Sequence, residues 1–287
     1  MAVVQNTRFE VRSSGGGVGA FVEGIDLSLE VSDDARDMLR AALGDYGVLF
    51  FRDQELSPEA HLAFAERFGA INVNRFFKAV DGYPRIAEVR KEPEQQANIG
   101  GGWHTDHSYD DAPALGSILV ARETPASGGD TLFASMYAAY ETLSDGLKTT
   151  LDSLSAVHSS RHVFGADARY KRQGADLGDR LGNEDAATQD AVHPVVIRHP
   201  ISGRKALYVN PGFTLRFDGW TEAESAPLLN MLYAHAARPE HTYRFQWASG
   251  SIAFWDNRAT WHYALNDYHG ARRLMHRITI EGERVAA

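Results

Sequence analysis

Cysteine is absent from the 287-residue sequence. Disulfide bridges, thiolate-bound zinc and cysteine-ligated iron–sulfur clusters are therefore excluded. Any metal site must instead be built from histidine, aspartate or glutamate, and the chain has 12 His and 38 Asp and Glu residues. A chain without cysteine also fits a reducing compartment, so we expect a cytoplasmic protein.

Long apolar runs and a surplus of positive charge are missing as well. No stretch approaches the roughly 18 consecutive apolar residues that span a membrane, and the N-terminus lacks the basic and apolar regions of a signal peptide. The 29 Lys and Arg residues are outnumbered by acidic ones, which gives a formal net charge of −9. This charge disfavours nucleic acid and anionic membranes as partners, so we expect a small ligand or another protein.

The hydrophobic content of 44% is typical of a globular protein, and we expect one domain over residues 1–287. Helical patterns with terminal capping residues predict helices at 32–47, 57–69, 135–154 and 221–238. Short runs rich in Val, Ile, Phe and Tyr predict strands at 47–54, 116–123, 130–136, 193–200, 205–210, 241–247, 251–257 and 272–282. Because the strands lack regular intervening helices, the sheet should be largely antiparallel. The predicted fold class is mainly β with flanking helices, as a jelly roll or small barrel.

The stretch GGWHTDHSYD places two histidines and two carboxylates within seven positions. His104 and Asp106 are two residues apart, and on an extended strand their side chains would project from one face. His262, which follows a strand-like run, is the best candidate for a third ligand. Two histidines and one carboxylate on one side of an ion form the facial triad of non-haem Fe(II) oxygenases. A His-x-Asp pair alone is more often an ordinary polar pair.

The other two polar residues of this stretch have less favourable positions. His107 has an odd offset from His104, so we assign it to the opposite face, in packing or in contacts around the ligands. Asp110 shares the parity of Asp106, but it lies two strand steps farther along and is too distant to share the ion.

Two arginines occupy one face of the predicted strand in RRLMHRITI, because Arg273 and Arg277 are four residues apart. If this strand is buried, the two charges require anions, since an unpaired buried charge is costly. The planar guanidinium suits bidentate binding of a carboxylate or sulfonate. The alternative is an edge strand whose arginines lie in solvent.

Together these motifs give the chain a resemblance to the taurine dioxygenase/2,4-dichlorophenoxyacetate dioxygenase (TauD/TfdA-like) family of Fe(II)- and 2-oxoglutarate-dependent oxygenases. The resemblance covers about residues 20–282, and its landmarks occur in family order. They are WHTDHSY (103–109), PASGGDTLFASMYAAYETL (125–143), HPVVIRHPISGRKALYVNPGFT (193–214), FWDNRATWHYALNDY (254–268) and RRLMHRITI (272–280). The resemblance implies a double-stranded β-helix (jelly-roll) core, Fe(II) as the metal, and 2-oxoglutarate and O₂ as cosubstrates.

The resemblance also implies roles for residues at matching positions. His104, Asp106 and His262 resemble the iron ligands of the family. Thr131, in the GGDT turn, and Arg273, eleven residues beyond His262, are similar to the pair that holds the distal carboxylate of 2-oxoglutarate.

Arg277 resembles the arginine that reaches the anionic end of the substrate or the proximal carboxylate of 2-oxoglutarate. Trp255 and Trp103 lie where the family has aromatic residues next to the metal. A role as core aromatics is equally open for both tryptophans.

The expected substrate pocket contains Asn74, Phe77, Val163, Phe164 and Phe213, together with Arg277. Where taurine dioxygenase has polar partners for its small zwitterion, these positions are mostly apolar. We therefore expect a small anion with a larger apolar body, such as an alkyl sulfonate, an alkyl sulfate ester or an aryloxyalkanoate. Segments of about 74–100 and 159–190 should supply the lid loops, and the polar stretch 165–190 predicts a long surface loop.

Three other functions remain open from the sequence. Taurine dioxygenase itself shares the motifs, a zinc-type hydrolase could use the same two histidines and one aspartate, and a non-catalytic jelly-roll binding protein would share the fold. The hydrolase leaves the paired arginines unexplained, and the binding protein leaves the triad unexplained. Because similar proteins are commonly dimers or tetramers, we also expect a homo-oligomer.

Overall fold

The computed structural model describes residues 4–5, 9–166, 168, 171, 177 and 180–287. The α-helices of these residues are Asp33–Tyr46, Pro58–Glu66, Met136–Glu141, Asp145–Leu151, Arg161–Phe164 and Glu222–Ala236. Short 3₁₀ helices lie at Glu184–Ala186 and Pro239–His241. Within the described part of the chain, no helix is both long and apolar enough to cross a membrane.

The strands of the described residues are β1 Val4–Gln5, β2 Glu10–Ser13, β3 Ala20–Glu23, β4 Glu30–Val31, β5 Val48–Phe51, β6 Ile71–Asn72, β7 Ala79–Val80, β8 Tyr83–Lys91, β9 Gly116–Glu123, β10 Thr131–Ser135, β11 Ser155–Ser159, β12 Asp190–Pro194, β13 Val196–Arg198, β14 Lys205–Leu207, β15 Thr214–Phe217, β16 Thr242–Phe245, β17 Ile252–Asp256, β18 Thr260–Ala264 and β19 Arg273–Ile280. A nine-stranded sheet has the order β2-β3-β5-β17-β9-β19-β8-β7, and β6 also pairs with β19. A three-stranded sheet has the order β16-β10-β18. The pairs β1–β4 and β3–β5 are parallel and the other pairings between these strands are antiparallel, which confirms the antiparallel prediction.

The central strands β5, β17 and β9 of the nine-stranded sheet are buried on both faces. On β5, Leu49 and Phe51 face the helices Asp33–Tyr46 and Pro58–Glu66, and Phe50 faces the three-stranded sheet. The Phe50 ring stacks on Phe245 of β16 at 4.3 Å, so the two sheets pack face to face. This arrangement, mainly β with flanking helices, confirms the predicted jelly-roll fold class.

Strand β19 follows the same alternation. Ile278 and Ile280 belong to the outer core under the helices, whereas Met275 belongs to the core between the sheets. Since side chains two apart share a face, Arg273 and Arg277 project inward between the sheets with Met275. The inner core therefore opens at one end into a charged site.

Most predicted elements are present, with shifted bounds. The stretch predicted as one helix at 135–154 is two helices, because Ser144 accepts a hydrogen bond from the backbone of Leu147 and caps a new start. The helix Glu222–Ala236 begins at the predicted capping box of Thr221 and Glu224. The run predicted as one strand at 193–200 is divided between β12 and β13.

The two segments predicted as lid loops contain regular structure. Residues 74–100 include β7 and the nine-residue strand β8, which pairs along β19. Strand β8 was missed because it carries Arg85, Glu88 and Arg90, and charged residues are a weak signal for a strand. Residues 159–190 include one short α-helix and one 3₁₀ helix, and part of this segment lies outside the described residues. Closure of either segment over a site stays a prediction.

Candidate active site

Two histidines from distant parts of the chain lie side by side, because the segment of His104 pairs with His262 of strand β18. The backbone of His104 donates to the carbonyl of His262 at 3.1 Å, and that of His262 donates to the carbonyl of His104 at 2.8 Å. This isolated bridge brings the two imidazole rings to a centroid distance of 4.1 Å. Asp106 lies in a turn, not on a strand, so the prediction of an extended His-x-Asp strand was wrong although the residues do converge.

The three predicted ligands form a compact cluster. One ligand atom from each of His104, Asp106 and His262 lies within 4.8 Å of the others. The Asp106 Oδ1 atom is 3.7 Å from His104 Nε2, and its Oδ2 atom is 3.8 Å from His262 Nε2. These distances are too long for hydrogen bonds. They fit nitrogen and oxygen atoms arranged around a single divalent ion, with one side of the ion open.

Each histidine can present its Nε2 atom to a metal. The His104 Nδ1 atom lies 2.8 Å from the carbonyl of Gly102; as the donor in this bond, it leaves the Nε2 lone pair for an ion. Burial and the neighbouring His104 hold the pKa of His262 well below its usual range, so this ring is neutral. The Trp255 ring packs against His262 with centroids 4.7 Å apart.

The carboxyl group of Asp106 is ionised. Burial alone would raise its pKa, but the positive charge of Arg277 outweighs burial and lowers that pKa far below the usual value. The Arg277 Nη1 atom donates to Asp106 Oδ2 at 3.2 Å, and Ser117 Oγ donates to the same oxygen at 3.5 Å. Asp106 therefore presents a fixed negative charge to the cluster.

Arg273 is a buried cation that lacks an anion among the described residues. Its side chain is on an inner strand between β8 and β9, and the residue is only 5% exposed. The Nε and Nη2 atoms are buried and find no hydrogen-bond partner in the part of the chain that the structure describes. The alternative of solvent-exposed arginines on an edge strand is therefore excluded. An unpaired guanidinium at this depth fits a bound carboxylate.

Thr131 and Trp247 complete the surroundings of Arg273. The Trp247 Nε1 atom donates to Thr131 Oγ1 at 3.0 Å, which leaves the threonine hydroxyl hydrogen for a ligand. The Trp247 ring lies 5.7 Å from the Arg273 guanidinium. Thr131 and Arg273 both line the cavity that the cluster opens into.

This cavity has a volume of about 450 Å³. One part is polar and holds the cluster, Thr131 and the two arginines. The apolar wall contains Phe77, Val163, Phe164 and Phe213, and Val89 and Leu119 add apolar surface from the strands that flank β19. Trp103 and Trp255 also line the cavity, and Trp255 belongs to the inner core as well. Five of the six predicted substrate residues and both predicted tryptophans are therefore gathered in one place.

Asn74 is the exception among the predicted substrate residues, since it is not part of the described cavity lining. Its Oδ1 atom accepts hydrogen bonds from the backbone of Phe76 at 2.9 Å and of Phe77 at 3.0 Å. Asparagine commonly caps turns in this way, so the side chain is used locally. Asn74 therefore has a turn-capping role, and a contact with the substrate stays a prediction.

Several lining residues were not anticipated. Asn98, Ile99, His162, Leu177 and Leu181 all contact the cavity from loops or short helices. They lie in the two segments predicted as lid loops, but loop residues have no periodicity, so the sequence did not identify them individually. Ile99 and Leu181 add to the apolar wall.

His107 and Asp110 lie outside the cluster, as their spacing predicts. His107 Nδ1 is 2.8 Å from Asp110 Oδ2, and the Arg75 Nη2 atom contacts the same carboxylate. The His107 backbone has φ of 60°, a left-handed conformation that turns its side chain away from the line of His104 and Asp106.

Comparisons with known proteins agree with this geometry. The sequence model of the family described as taurine catabolism dioxygenase TauD, TfdA family matches residues 10–279. An alkylsulfatase of Acinetobacter baylyi is 37% identical over 96% of this chain and 86% of its own length. An alpha-ketoglutarate-dependent sulfate ester dioxygenase of Pseudomonas putida is 35% identical over 96% of this chain and 90% of its own length.

A solved structure shows the same fold. The crystal structure of a taurine dioxygenase from Burkholderia xenovorans superposes with a TM-score of 0.79 and 34% identity, covering 97% of this chain and 91% of that one. Sequence, fold and the arrangement of two histidines, one aspartate and a buried arginine around one cavity all agree. The chain belongs to the TauD/TfdA dioxygenase family.

Proposed function

We propose that this protein is an Fe(II)- and 2-oxoglutarate-dependent dioxygenase that oxidises small organic anions with an apolar body, and that alkyl sulfate esters are the preferred class. The observation that carries the proposal is the single cavity that joins a His-Asp-His cluster to a buried arginine without an anionic partner among the described residues. A hydrolase or a simple binding protein requires only one of these two features.

The side chains fit the metal and the cosubstrate. His104, Asp106 and His262 would hold Fe(II) through two neutral nitrogens and one ionised oxygen. Arg273 and Thr131 would hold the distal carboxylate of 2-oxoglutarate, because both offer unused hydrogens to the cavity. With these groups bound, the site supplies oxidation of a substrate C–H bond, coupled to conversion of 2-oxoglutarate and O₂ to succinate and CO₂.

Arg277 has a different position from Arg273, next to the metal cluster. One of its nitrogens bonds to Asp106, and its Nε atom is buried without a hydrogen-bond partner among the described residues. It would therefore attract either the anionic head of the substrate or the proximal carboxylate of 2-oxoglutarate. Both roles place negative charge close to the ion and orient the reacting groups.

The apolar wall supports a substrate with a hydrocarbon body. Phe77, Val163, Phe164 and Phe213 offer no charged partner to an amino group such as that of taurine. The sulfate ester relatives at 37% and 35% identity support the sulfate class in particular. Hydroxylation of the carbon that bears the sulfate would give an unstable product, which releases inorganic sulfate and leaves an aldehyde.

A substrate panel tests the proposal. The purified protein would be supplied with Fe(II), ascorbate and 2-oxoglutarate, and succinate would be measured with hexyl sulfate, hexanesulfonate, taurine and 2,4-dichlorophenoxyacetate. We expect the largest stimulation with hexyl sulfate, together with release of sulfate in equal amount. The Asp106→Ala variant should lose this activity, whereas Asp111→Ala, an exposed neighbour, should keep it.

The other functions predict different results from the same panel. Maximal turnover of taurine would identify a taurine dioxygenase, like the 34% identical Burkholderia xenovorans protein. Zinc-dependent release of sulfate without succinate would identify a hydrolase, and binding without turnover would identify a binding protein. Either of the last two results would overturn the proposed function. A cytoplasmic location and a homo-oligomeric state remain predictions, and light scattering would measure the latter.

A further inference from the structure

A chain of three polar side chains runs from the turn after Asp106 to the roof of the cavity. Asp110 Oδ1 and Oδ2 accept hydrogen bonds from Arg75 Nη2 at 2.6 Å and 2.9 Å. His107 Nδ1 lies 2.8 Å from Asp110 Oδ2. The side chains of Asp110 and Arg75 are 16% and 34% exposed, so this ion pair is shielded more than an ordinary surface pair.

Arg75 belongs to the segment that forms the aromatic roof, which we define as Phe76, Phe77 and Phe164. Phe77 lines the cavity, and its ring lies 4.3 Å from the Arg277 guanidinium. Phe76 stacks on Phe164 with centroids 4.2 Å apart and an angle of 11° between the planes. Movement of Arg75 would therefore move the apolar wall and the ring that covers Arg277.

The segment that carries Arg75 and Phe76 is held by further hydrogen bonds to its backbone. The Gly182 backbone donates to the carbonyl of Phe76 at 2.9 Å, and the Asn183 side chain donates to the carbonyl of Arg75 at 3.2 Å. On the other side, Asp110 is in a fixed turn, because its backbone donates to His107 at 3.0 Å. The Arg75–Asp110 pair thus joins the turn that follows the metal cluster to the segment of Phe76 and Phe77, on which Phe164 stacks.

We infer that Asp110 is a positioning residue, which acts through Arg75 to hold the aromatic roof over the substrate half of the cavity. It contacts neither the cluster nor the cavity, so its effect is on the affinity for the apolar part of the substrate. The inference rests on the proposed function for the identity of the substrate. Burial would raise the pKa of Asp110, but the bonds from His107 and Arg75 outweigh burial and lower it, so the carboxylate is charged when it holds the roof.

The test compares Asp110→Asn with Asp111→Asn, because Asp111 is adjacent and its pairing with Arg284 is exposed. In Asp110→Asn, we expect KM for hexyl sulfate to rise about tenfold while kcat changes less than about threefold. KM for 2-oxoglutarate should change much less than KM for hexyl sulfate, since Arg273, which would hold its distal carboxylate, lies on β19 and not in the roof. Arg75→Gln should reproduce the rise, and Arg75→Lys, which keeps the charge, should restore most of the affinity.

Hydrogen exchange gives a readout that does not depend on turnover. The amides of Phe76 and Phe77 are bonded to Asn74, and in Asp110→Asn they should exchange about tenfold faster than in Asp111→Asn. The inference would be overturned if Asp110→Asn kept the wild-type KM for hexyl sulfate and the wild-type exchange rates of Phe76 and Phe77. It would also be overturned if the variant had a lower melting temperature but an unchanged KM. If the wild-type protein made no succinate with any anion, the proposed function would fail, and the exchange rates would still decide whether Asp110 holds the roof.

Discussion

Replacement of Arg273 by methionine should have opposite effects on ligand binding and on the stability of the ligand-free protein. The wild-type guanidinium offers two unpaired buried nitrogens to the distal carboxylate of 2-oxoglutarate. Each charge-assisted hydrogen bond contributes about 1.5–3 kcal/mol. Loss of both should cost at least about 3 kcal/mol, or roughly 100-fold in affinity, since about 1.4 kcal/mol corresponds to a factor of ten.

The same substitution removes a charge that is costly in the absence of ligand. Burial lowers the pKa of Arg273, and the attraction of Tyr268 and Asp130 does not compensate, which shows that the surroundings disfavour the cation. Methionine has a similar shape without the charge. The free energy of unfolding of the ligand-free variant should therefore be about 1–3 kcal/mol higher than that of the wild type.

Thermal unfolding with and without 2-oxoglutarate, in the presence of the metal, measures both effects. At a cosubstrate concentration 100 times Kd, the wild-type protein should gain about 2.7 kcal/mol, or roughly 5 °C, and Arg273→Met should gain almost nothing. Arg272→Met is the matched control, because Arg272 pairs with Glu92 and Glu123 at the surface and should keep the shift. A normal cosubstrate shift in Arg273→Met would refute the assignment of the carboxylate to Arg273.

Substitutions at four further positions test other parts of the structure. Alanine at His104 or Asp106 should abolish succinate formation and leave the circular dichroism spectrum unchanged; activity in either variant would remove that residue from the site. Asp256→Ala leaves the buried Arg258 without its carboxylate, so urea unfolding should show a loss of about 3–5 kcal/mol. Burial, with nearby cations, lowers the pKa of His61 to about 3. Between pH 6.5 and 3 only the unfolded chain binds this proton. The free energy of unfolding should therefore decrease by up to about 1.4 kcal/mol for each unit by which the pH is lowered. His61→Leu should weaken this dependence.

The two arginines of β19 show how far sequence periodicity can be used. A period of two placed Arg273 and Arg277 on one face, which the structure confirms. Their burial could not be deduced, because it depends on what pairs with β19. The covering strand β8 has a mixed pattern of charged and apolar residues, and its pairing is a long-range contact that local propensity does not encode.

The metal cluster shows the complementary case. The residue pattern made His104, Asp106 and His262 candidate ligands, and the family resemblance was needed to assign them as the iron ligands. The predicted local geometry, an extended strand, was wrong. The cluster is assembled instead by a long-range bridge between the two histidines and by a turn at Asp106. Asn74 was assigned to the substrate by its position in a motif, but its turn uses the side-chain oxygen. Short polar side chains near turns are poor markers of a binding pocket.

The alternation along β19 limits how such a protein can change over time. On β19, the apolar side chains of one face pack under the helices and the two arginines of the other face point between the sheets. A single-residue insertion in this strand would exchange the two faces and bury the arginines against the helices. Mutational drift in this strand is therefore restricted to substitutions that keep each face. The apolar wall is different, because Phe77, Val163, Phe164 and Phe213 lie on loops and one short helix. New substrate preferences can arise there through changes of length as well as of residue, without disturbing the oxidation chemistry.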